Sequence, residues 1–238
     1  MSRALFVLHD AFSSSGLIGA AFRSRGWDVD EVTIVPAERH GEPDVDFVFP
    51  DPEPYDLVVP MGSPWSAYDD VGIGRWLGPE LKWLRRIVGD GGAVFGICFG
   101  AQALARALGG SVARGARPEI GWTHVEPADP SIVTEGPWFQ WHFDAFTPPP
   151  DATVLARNDA AIQAYRVGRC LGVQFHPEVT TEGIATWLEH GGEAQAVAHG
   201  LDPAELLAES VRRESAARAR AEALVNDYLA TIFPAERA

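Results

Sequence analysis

Short apolar runs alternate along this chain with stretches whose apolar residues recur at helical spacing. Leu5 to Leu8, Val29 to Val35 and Leu57 to Val59 read as strands, and Gly16 to Arg25 as a helix. Trp76 to Val88 also reads as a helix, because Trp76, Leu77, Leu81, Leu84 and Val88 recur at that spacing. Gly92 to Ile97 reads as a buried strand followed by the helical pattern Ala103 to Leu108, and Leu171 to Glu178 as a second buried strand that ends in His-Pro-Glu. Strands interleaved with helices predict an α/β layered fold with a mainly parallel sheet, whose sites form at the carboxyl ends of strands.

Between Ser111 and Tyr165 the pattern changes to short strands, prolines and tryptophans, and Pro148-Pro149-Pro150 marks a turn or an irregular connection. The tail changes again. Asp202 suits an N-cap, Pro203 the first helical position, and Glu205 completes an arrangement like a capping box. Leu206, Leu207, Val211, Leu224, Val225, Tyr228 and Ile232 then form a weakly amphipathic stripe, which either packs on the core or docks a partner. The expected organisation is one three-layer domain with a mixed, mainly parallel central sheet. Residues 1–180 carry the chemistry, and a helical extension, 181–238, packs on the same domain.

With 238 residues and 46% hydrophobic content, the chain is long enough for one sizeable core. A net charge of −14 argues against nucleic acid or an anionic membrane as partner, because polyphosphate is repelled. Cys98 and Cys170 are its two cysteines, too few for a disulfide framework, and a reducing, cytoplasmic setting is expected. Cys170 precedes an apolar strand and reads as a core thiol. Ala4 to Leu8 is too short for a signal segment, and no apolar stretch approaches the length that spans a bilayer.

The candidate chemistry lies at two strand ends. Cys98 is flanked by Gly96 and Gly100, each two residues away, where a buried strand gives way to a helix. A nucleophile on so sharp a turn needs near neighbours without side chains. The free N–H groups at a helix start favour thiolate over thiol. The competing reading is a buried structural cysteine. His176 and Glu178 end the second buried strand and, two apart along an extended chain, project to one side, with Pro177 between them marking the strand end. An imidazole takes the proton of a thiol and a carboxylate orients the imidazole, so the three residue types form a triad. His9 stands near the carboxyl edge of the first strand. His40, His124, His190 and His199 stand alone in polar or loop-like contexts without metal-ligand spacing. No metal and no organic cofactor are expected.

These residues together resemble the class I, triad-type glutamine amidotransferase family. Gly96, Cys98, Gly100 and Gln102 meet its G-x-C-x-G-x-Q motif, and His176, Pro177 and Glu178 its His-Pro-Glu motif. Gly62-Ser63-Pro64 stands where the family has Gly-Gly-Pro, with Ser63 in place of the second glycine. Glu119-Ile120-Gly121-Trp122 and Trp141-His142-Phe143-Asp144 are similar to segments of the stand-alone subgroup close to the glutaminase domain of GMP synthase. The resemblance implies a flavodoxin-like fold and hydrolysis of the side-chain amide of L-glutamine through a γ-glutamyl thioester. Cys98 would be the nucleophile, His176 the base and Glu178 its orienting acid.

The resemblance also places the oxyanion hole at the N–H of Phe99 and the Gly62-Ser63 loop. Gln102 would help bind the amino-acid end of glutamine, and backbone near Trp141, His142 and Phe143 would cradle its α-carboxylate. Asp144 would attract the α-ammonium; a hydrogen-bonded structural turn is the competing reading for His142 and Asp144. Three functions follow. In the first, ammonia passes to a separate synthase subunit. In the second, the same triad serves a free-standing γ-glutamyl hydrolase or peptidase. The third is a non-catalytic binding protein, whose usual mark is loss of a triad residue; none is lost here.

Overall fold

Ala4, Phe6 and Leu8 face one side of the first strand and Leu5 and Val7 the other, and all five are buried. A strand apolar on both faces must be covered on both, and this alternation divides the core into two layers. A computed structural model describes residues 1–233. The end of the expected extension, 234–238, lies outside the described residues. The strands are β1 (Arg3–Asp10), β2 (Asp28–Val35), β3 (Leu57–Pro60), β4 (Ala93–Ile97), β5 (Ser111–Pro127), β6 (Gly136–Thr147), β7 (Thr153–Arg157), β8 (Ile162–Val167) and β9 (Cys170–Val173). They form a mixed nine-stranded sheet in the order β2-β1-β3-β4-β9-β8-β7-β5-β6. The pairs from β2 to β9 are parallel, and those from β9 to β6 antiparallel.

One layer holds α1 (Gly16–Arg23) and the long α6 (Pro203–Ile232); the other holds α2 (Gly74–Gly89) and α3 (Phe99–Ala107). Trp76, Leu77, Leu84 and Ile87 of α2 pack beneath Leu5, Val7, Val58 and Val94. Leu17, Ile18 and Phe22 of α1 share the opposite layer with Ala217, Ala221, Leu224 and Tyr228 of α6. Two shorter helices, α4 (Thr181–Trp187) and α5 (Glu193–Ala198), meet at a bend where Gly191 takes φ 107°. They close a third apolar cluster over Phe139.

Several expectations change in detail. The last buried strand stops at Val173, and the chain from Gln174 to Glu178 bends away instead of continuing it. The first helix stops at Arg23, and Arg25 turns back to donate to the Ala21 carbonyl. The region after Ser111 forms a long hairpin: β5 has 17 residues and β6 has 12. A register shift between Arg114 and Glu119 interrupts their alternation, which is why the sequence reads as short pieces. Asp202 caps α6 by accepting from Ala204 N–H, but the exposed Glu205 pairs with Arg212 and leaves the capping box unclosed. Val211 faces solvent, so the buried stripe of α6 runs through Leu206, Ser210, Ala217 and Ala221 instead. Among the described residues no helix is long and apolar enough to cross a membrane.

Near its end α6 reaches the sheet through Tyr228. This fully buried phenol packs at a tilt against Phe95 and donates to the Arg169 carbonyl at 2.8 Å. Replacing Tyr228 by Phe leaves that carbonyl short of a partner and is expected to cost about 1–2 kcal/mol in denaturant unfolding. Replacement by Ala opens a cavity as well and is expected to cost about 3–5 kcal/mol. Equal stability for the Phe variant would show that helix and sheet are joined by packing alone.

Candidate functional site

The carboxyl ends of β1, β3, β4 and β9 meet one cleft, a cavity of about 210 Å³. Cys98 occupies its floor with φ 50° and ψ −107°, alone among the described non-glycine residues in having a positive φ. Such a backbone is strained for a side-chain-bearing residue and persists only where its surroundings over-determine it. Here the Cys98 N–H donates to the Val173 carbonyl at 2.8 Å, and the Gly100 N–H to the Met61 carbonyl at 3.0 Å. The space on either side is closed. A Cβ on Gly100 would lie 2.0 Å from the Pro60 carbonyl oxygen, and one on Gly96 2.6 Å from that of Gly100. Both flanking glycines are therefore required by sterics.

His176 and Glu178 follow β9 into the same cleft. His176 Nδ1 lies 2.7 Å from Glu178 Oε1, and both side chains are almost wholly buried. Two contacts fix this pair. The His176 N–H donates to the Phe139 carbonyl, and the Glu178 carbonyl accepts from Leu17 N–H at the start of α1. His176 Nε2 is buried and makes no hydrogen bond among the described residues. Burial acts most strongly on this imidazole and pushes its proton affinity down. The Glu178 carboxylate and the neighbouring Cys98 more than reverse that, so its pKa stands well above the ordinary value.

A chain of amides reaches the sulfur from the other side. Gln174 Nε2 lies 3.6 Å from Cys98 Sγ, while Gln174 Oε1 accepts from Gln102 Nε2 at 3.2 Å. Gln102 Nε2 also donates to the Asp144 carbonyl. Gln102 thus commits its amide nitrogen to the protein and keeps only Oε1 for a ligand. Gln174 was not singled out by the motif reading. It stands two residues before His176, a strand spacing that puts both on one face, and that was its available signal.

Beyond Gln102 the wall is charged. Asp144 accepts from the hydroxyls of Ser66 at 2.6 Å and Tyr68 at 3.3 Å, and Arg114 stands 3.7 Å away over the ring of Phe143. The backbone of His142 lies in the same wall, but its ring is committed behind it. Nδ1 faces the Asp144 carbonyl and Nε2 faces Glu119, whose carboxylate also accepts from Asn158 and Gln163. Burial alone raises the pKa of Glu119, and these donors, His142 first, bring it below its ordinary value. The motif reading missed Arg114 and Ser66 as wall residues and Tyr68 as a support of Asp144.

The mouth is aromatic. Phe12 stacks on His190 with ring centroids 3.6 Å apart, and His40 and Trp65 continue the rim. Trp141 donates to Gln195, and Trp187 sets its edge against His176. His40 and His190 are therefore part of the cleft and not isolated loop residues, and part of the rim comes from beyond residue 180. Gly62, Ser63 and Phe99 line the floor, while Glu178 stands behind His176. Burial pushes the Cys170 thiol up to about 11, as befits a core residue away from the cleft. Among the described residues no three His, Cys, Asp or Glu side chains are grouped to hold a metal ion.

The model of the glutamine amidotransferase class-I family matches residues 8–191. The chain is 40% identical over 160 residues to the glutamine-hydrolysing GMP synthase of Aeropyrum pernix, a match covering 58% of this chain and 30% of that protein. It is 30% identical over 141 residues to a glutamine-hydrolysing GMP synthase subunit from Sulfurisphaera tokodaii, covering 55% of this chain and 72% of the relative. The chain thus spans 30% or less of the full-length GMP synthases it matches first. In overall structure it is similar to a glutamine amidotransferase from Thermotoga maritima, with TM-score 0.82 and 27% identity over 98% of this chain and 99% of the other. A second, from Methylobacillus flagellatus, has TM-score 0.81 at 24% identity, covering 96% and 94% of the two chains, and shares the fold.

The raised pKa of His176 makes the His176–Glu178 pair pH-dependent in a defined direction. A histidine whose folded pKa exceeds its unfolded value contributes stability fully below the ordinary 6.5 and loses it as pH rises through the folded value. The excess stability of the wild type over Glu178→Gln is therefore expected to be fully present below the ordinary 6.5 and to shrink as pH rises through the raised folded value. Thermal unfolding at several pH values measures it. A difference that does not change with pH would show that the imidazole is not charged by its carboxylate.

Proposed function

The chain belongs to the class-I glutamine amidotransferase family, and we propose that it hydrolyses the side-chain amide of L-glutamine through Cys98, His176 and Glu178. The observation that carries this reading is the meeting, on one cleft floor, of a strained elbow cysteine with a buried imidazole held 2.7 Å from its carboxylate. The Cys98 thiolate attacks the carboxamide carbon, and the C=O electron pair moves onto oxygen. Phe99 N–H and Ser63 N–H have no acceptor among the described residues, and the oxyanion takes them. Each such donor contributes typically about 3–4 kcal/mol to lowering the barrier. His176, carrying the thiol proton on Nε2, gives it to the departing nitrogen as the C–N bond breaks. Ammonia leaves and a γ-glutamyl thioester remains. Water, deprotonated by His176, then cleaves the thioester to glutamate and restores the thiol. Glu178 holds the tautomer and offsets the imidazolium charge throughout.

The charged wall suits the other end of a zwitterionic substrate. Asp144 faces the α-ammonium, Gln102 Oε1 accepts from it, and backbone at Trp141, His142 and Phe143 together with Arg114 receives the α-carboxylate. Residues 1–180 carry this chemistry, and 181–233 complete the rim and cover the core as part of the same domain. The ammonia passes to a separate synthase subunit. Support for this comes from the similarity to the Sulfurisphaera tokodaii protein, which by its name is one subunit of a GMP synthase rather than the whole enzyme. Both cysteines are free, and a nucleophilic thiol is best kept reduced in the cytoplasm.

A second reading has one observation in its favour. The aromatic rim of Phe12, His190 and Trp187 stands next to the triad, where a substituent on the amide nitrogen would emerge. A free-standing γ-glutamyl hydrolase would use it.

Cys98→Ala is expected to abolish ammonia release from glutamine with the fold intact, and release that survives the substitution would refute the assignment. Arg114→Ala is expected to raise KM about tenfold with kcat little changed, the signature of lost ground-state binding. Steady-state turnover of the purified chain on glutamine, set against γ-glutamyl dipeptides, separates the two readings: a synthase subunit is slow alone on both, and a hydrolase is fast on the dipeptide.

A further inference from the structure

His9 and Glu80 are both wholly buried, far apart in sequence, and have no part in the chemistry described above. Glu80 sits on α2 and reaches His9 Nε2 with Oε1 at 3.0 Å, while its Oε2 finds no partner. The other ring nitrogen, His9 Nδ1, lies 3.1 Å from the carbonyl oxygen of Gly62. A carbonyl can only accept, so Nδ1 carries a hydrogen whatever the protonation of the pair. Phe99 and Trp76 flank the ring at centroid distances of 4.5 and 5.5 Å and hold its plane.

The Gly62 carbonyl and the Ser63 N–H belong to one peptide unit. In a trans peptide these two groups point in opposite directions, and the structure has no cis peptide among the described residues. A carbonyl fastened to His9 therefore turns the Ser63 N–H away from His9. That loop lies against the reacting groups, since a Cβ on Gly62 would sit 2.9 Å from His176 Cε1 and 3.9 Å from Cys98 Cβ. Gly62 has no Cβ to resist rotation of the peptide. An outside hydrogen bond must hold it instead.

We propose that the buried His9–Glu80 pair is a positioning device that locks the Gly62–Ser63 peptide with its N–H presented to the oxyanion. The proposal rests on the reaction assigned above and deepens it. Glu80 fixes the His9 ring, His9 fixes the carbonyl, and the carbonyl fixes the donor. Ser63 works in the same sense. Rotating the peptide would swing φ of residue 63 to the positive side, where a serine is strained and a glycine is not. The glycine otherwise expected at this position would make the loop switchable. Serine and the buried pair together hold the donor in one orientation.

Two double variants test this, each replacing Glu80 by Met so that no carboxylate is stranded in the core. His9→Phe/Glu80→Met keeps the ring volume and removes the donor; His9→Asn/Glu80→Met restores a donor close to the Nδ1 position. The probes are L-γ-glutamyl hydroxamate, whose acyl transfer needs the oxyanion hole, and iodoacetamide, whose alkylation of Cys98 does not. The Phe variant is expected to lose about 10²–10³-fold in kcat with KM within about twofold and an unchanged alkylation rate. The Asn variant is expected to recover to within about tenfold of the wild type. Three results overturn the proposal. One is a Phe variant within about threefold of the wild type in kcat; another is an alkylation rate that falls together with kcat, which marks a structural role; the third is an Asn variant no better than the Phe variant. Wild type and Cys98→Ala are run beside them. Turnover that needs Cys98 but ignores His9 sinks this inference alone, whereas a wild type without Cys98-dependent acyl transfer sinks the function it rests on.

Discussion

The backbone of Cys98 sits in a conformation that an L-residue with a side chain avoids, and everything else at the cleft is arranged to hold it there. Its N–H is tied to Val173 of β9, and the next glycine is tied to Met61 after β3. Three neighbouring parallel strands thus converge on one strained residue. The sulfur is pushed out of the strand-to-helix turn toward the end of β9, and that strand delivers His176 and Glu178. The elbow and the histidine strand are coupled because the Cys98 N–H and the register of β4 against β9 depend on the same pairing. A slip of one residue would turn the imidazole to the far face of the sheet. The wide, two-sided core beneath resists that slip, and Tyr228 of α6 braces it by joining Phe95 of β4 to the turn at Arg169.

Three buried histidine–carboxylate pairs surround this cleft: His176 with Glu178, His142 with Glu119, and His9 with Glu80. A buried polar pair, charged or not, rarely adds stability over an apolar pair of the same shape, because desolvation consumes most of the attraction. Three in one place are best explained by the work they do. Each orients an imidazole, and each imidazole addresses a different part of the site. The first faces the thiol. The second holds the Asp144 carbonyl and so the charged wall, and the third holds the loop opposite. A carbonyl and an imidazole make a directional contact that apolar packing cannot replace. The protein carries the desolvation cost where direction matters.

The parts of this architecture legible in the sequence are those fixed by local chemistry. Gly96 and Gly100 around Cys98 announce a turn because no Cβ fits there, and His176 and Glu178 stand two residues apart at the end of an apolar run, close enough to meet although the strand itself stops at Val173. The alternation of strands and helices likewise follows from short-range periodicity. What escaped was set by distant contact. Glu80 reads as an ordinary polar position of an amphipathic helix, and nothing nearby says that His9 waits across the core. Arg114 sits beside a register shift that disguises β5 as fragments. His40 and His190 look solitary because Phe12, which lies between them, comes from a third loop. Val211 fits the apolar stripe of α6 by spacing, yet the helix presents it where no element covers it.

The net charge of −14 gains meaning only when set against the proposed reaction. Glutamine at neutral pH is a zwitterion with no net charge, so the monopole of the chain neither draws it in nor holds it off. Orientation must come from fields that change over a few ångströms, and Asp144 beside Arg114 supplies such a field at the cleft wall. After the thioester is hydrolysed the product has one more negative charge than the substrate. That charge appears at the triad end of the cleft, beside Glu178 in an acidic molecule, and within a screening length of about 8 Å it is repelled. An acidic molecule that leaves the neutral substrate unaffected therefore disfavours the anionic product, and release is assisted without any moving part.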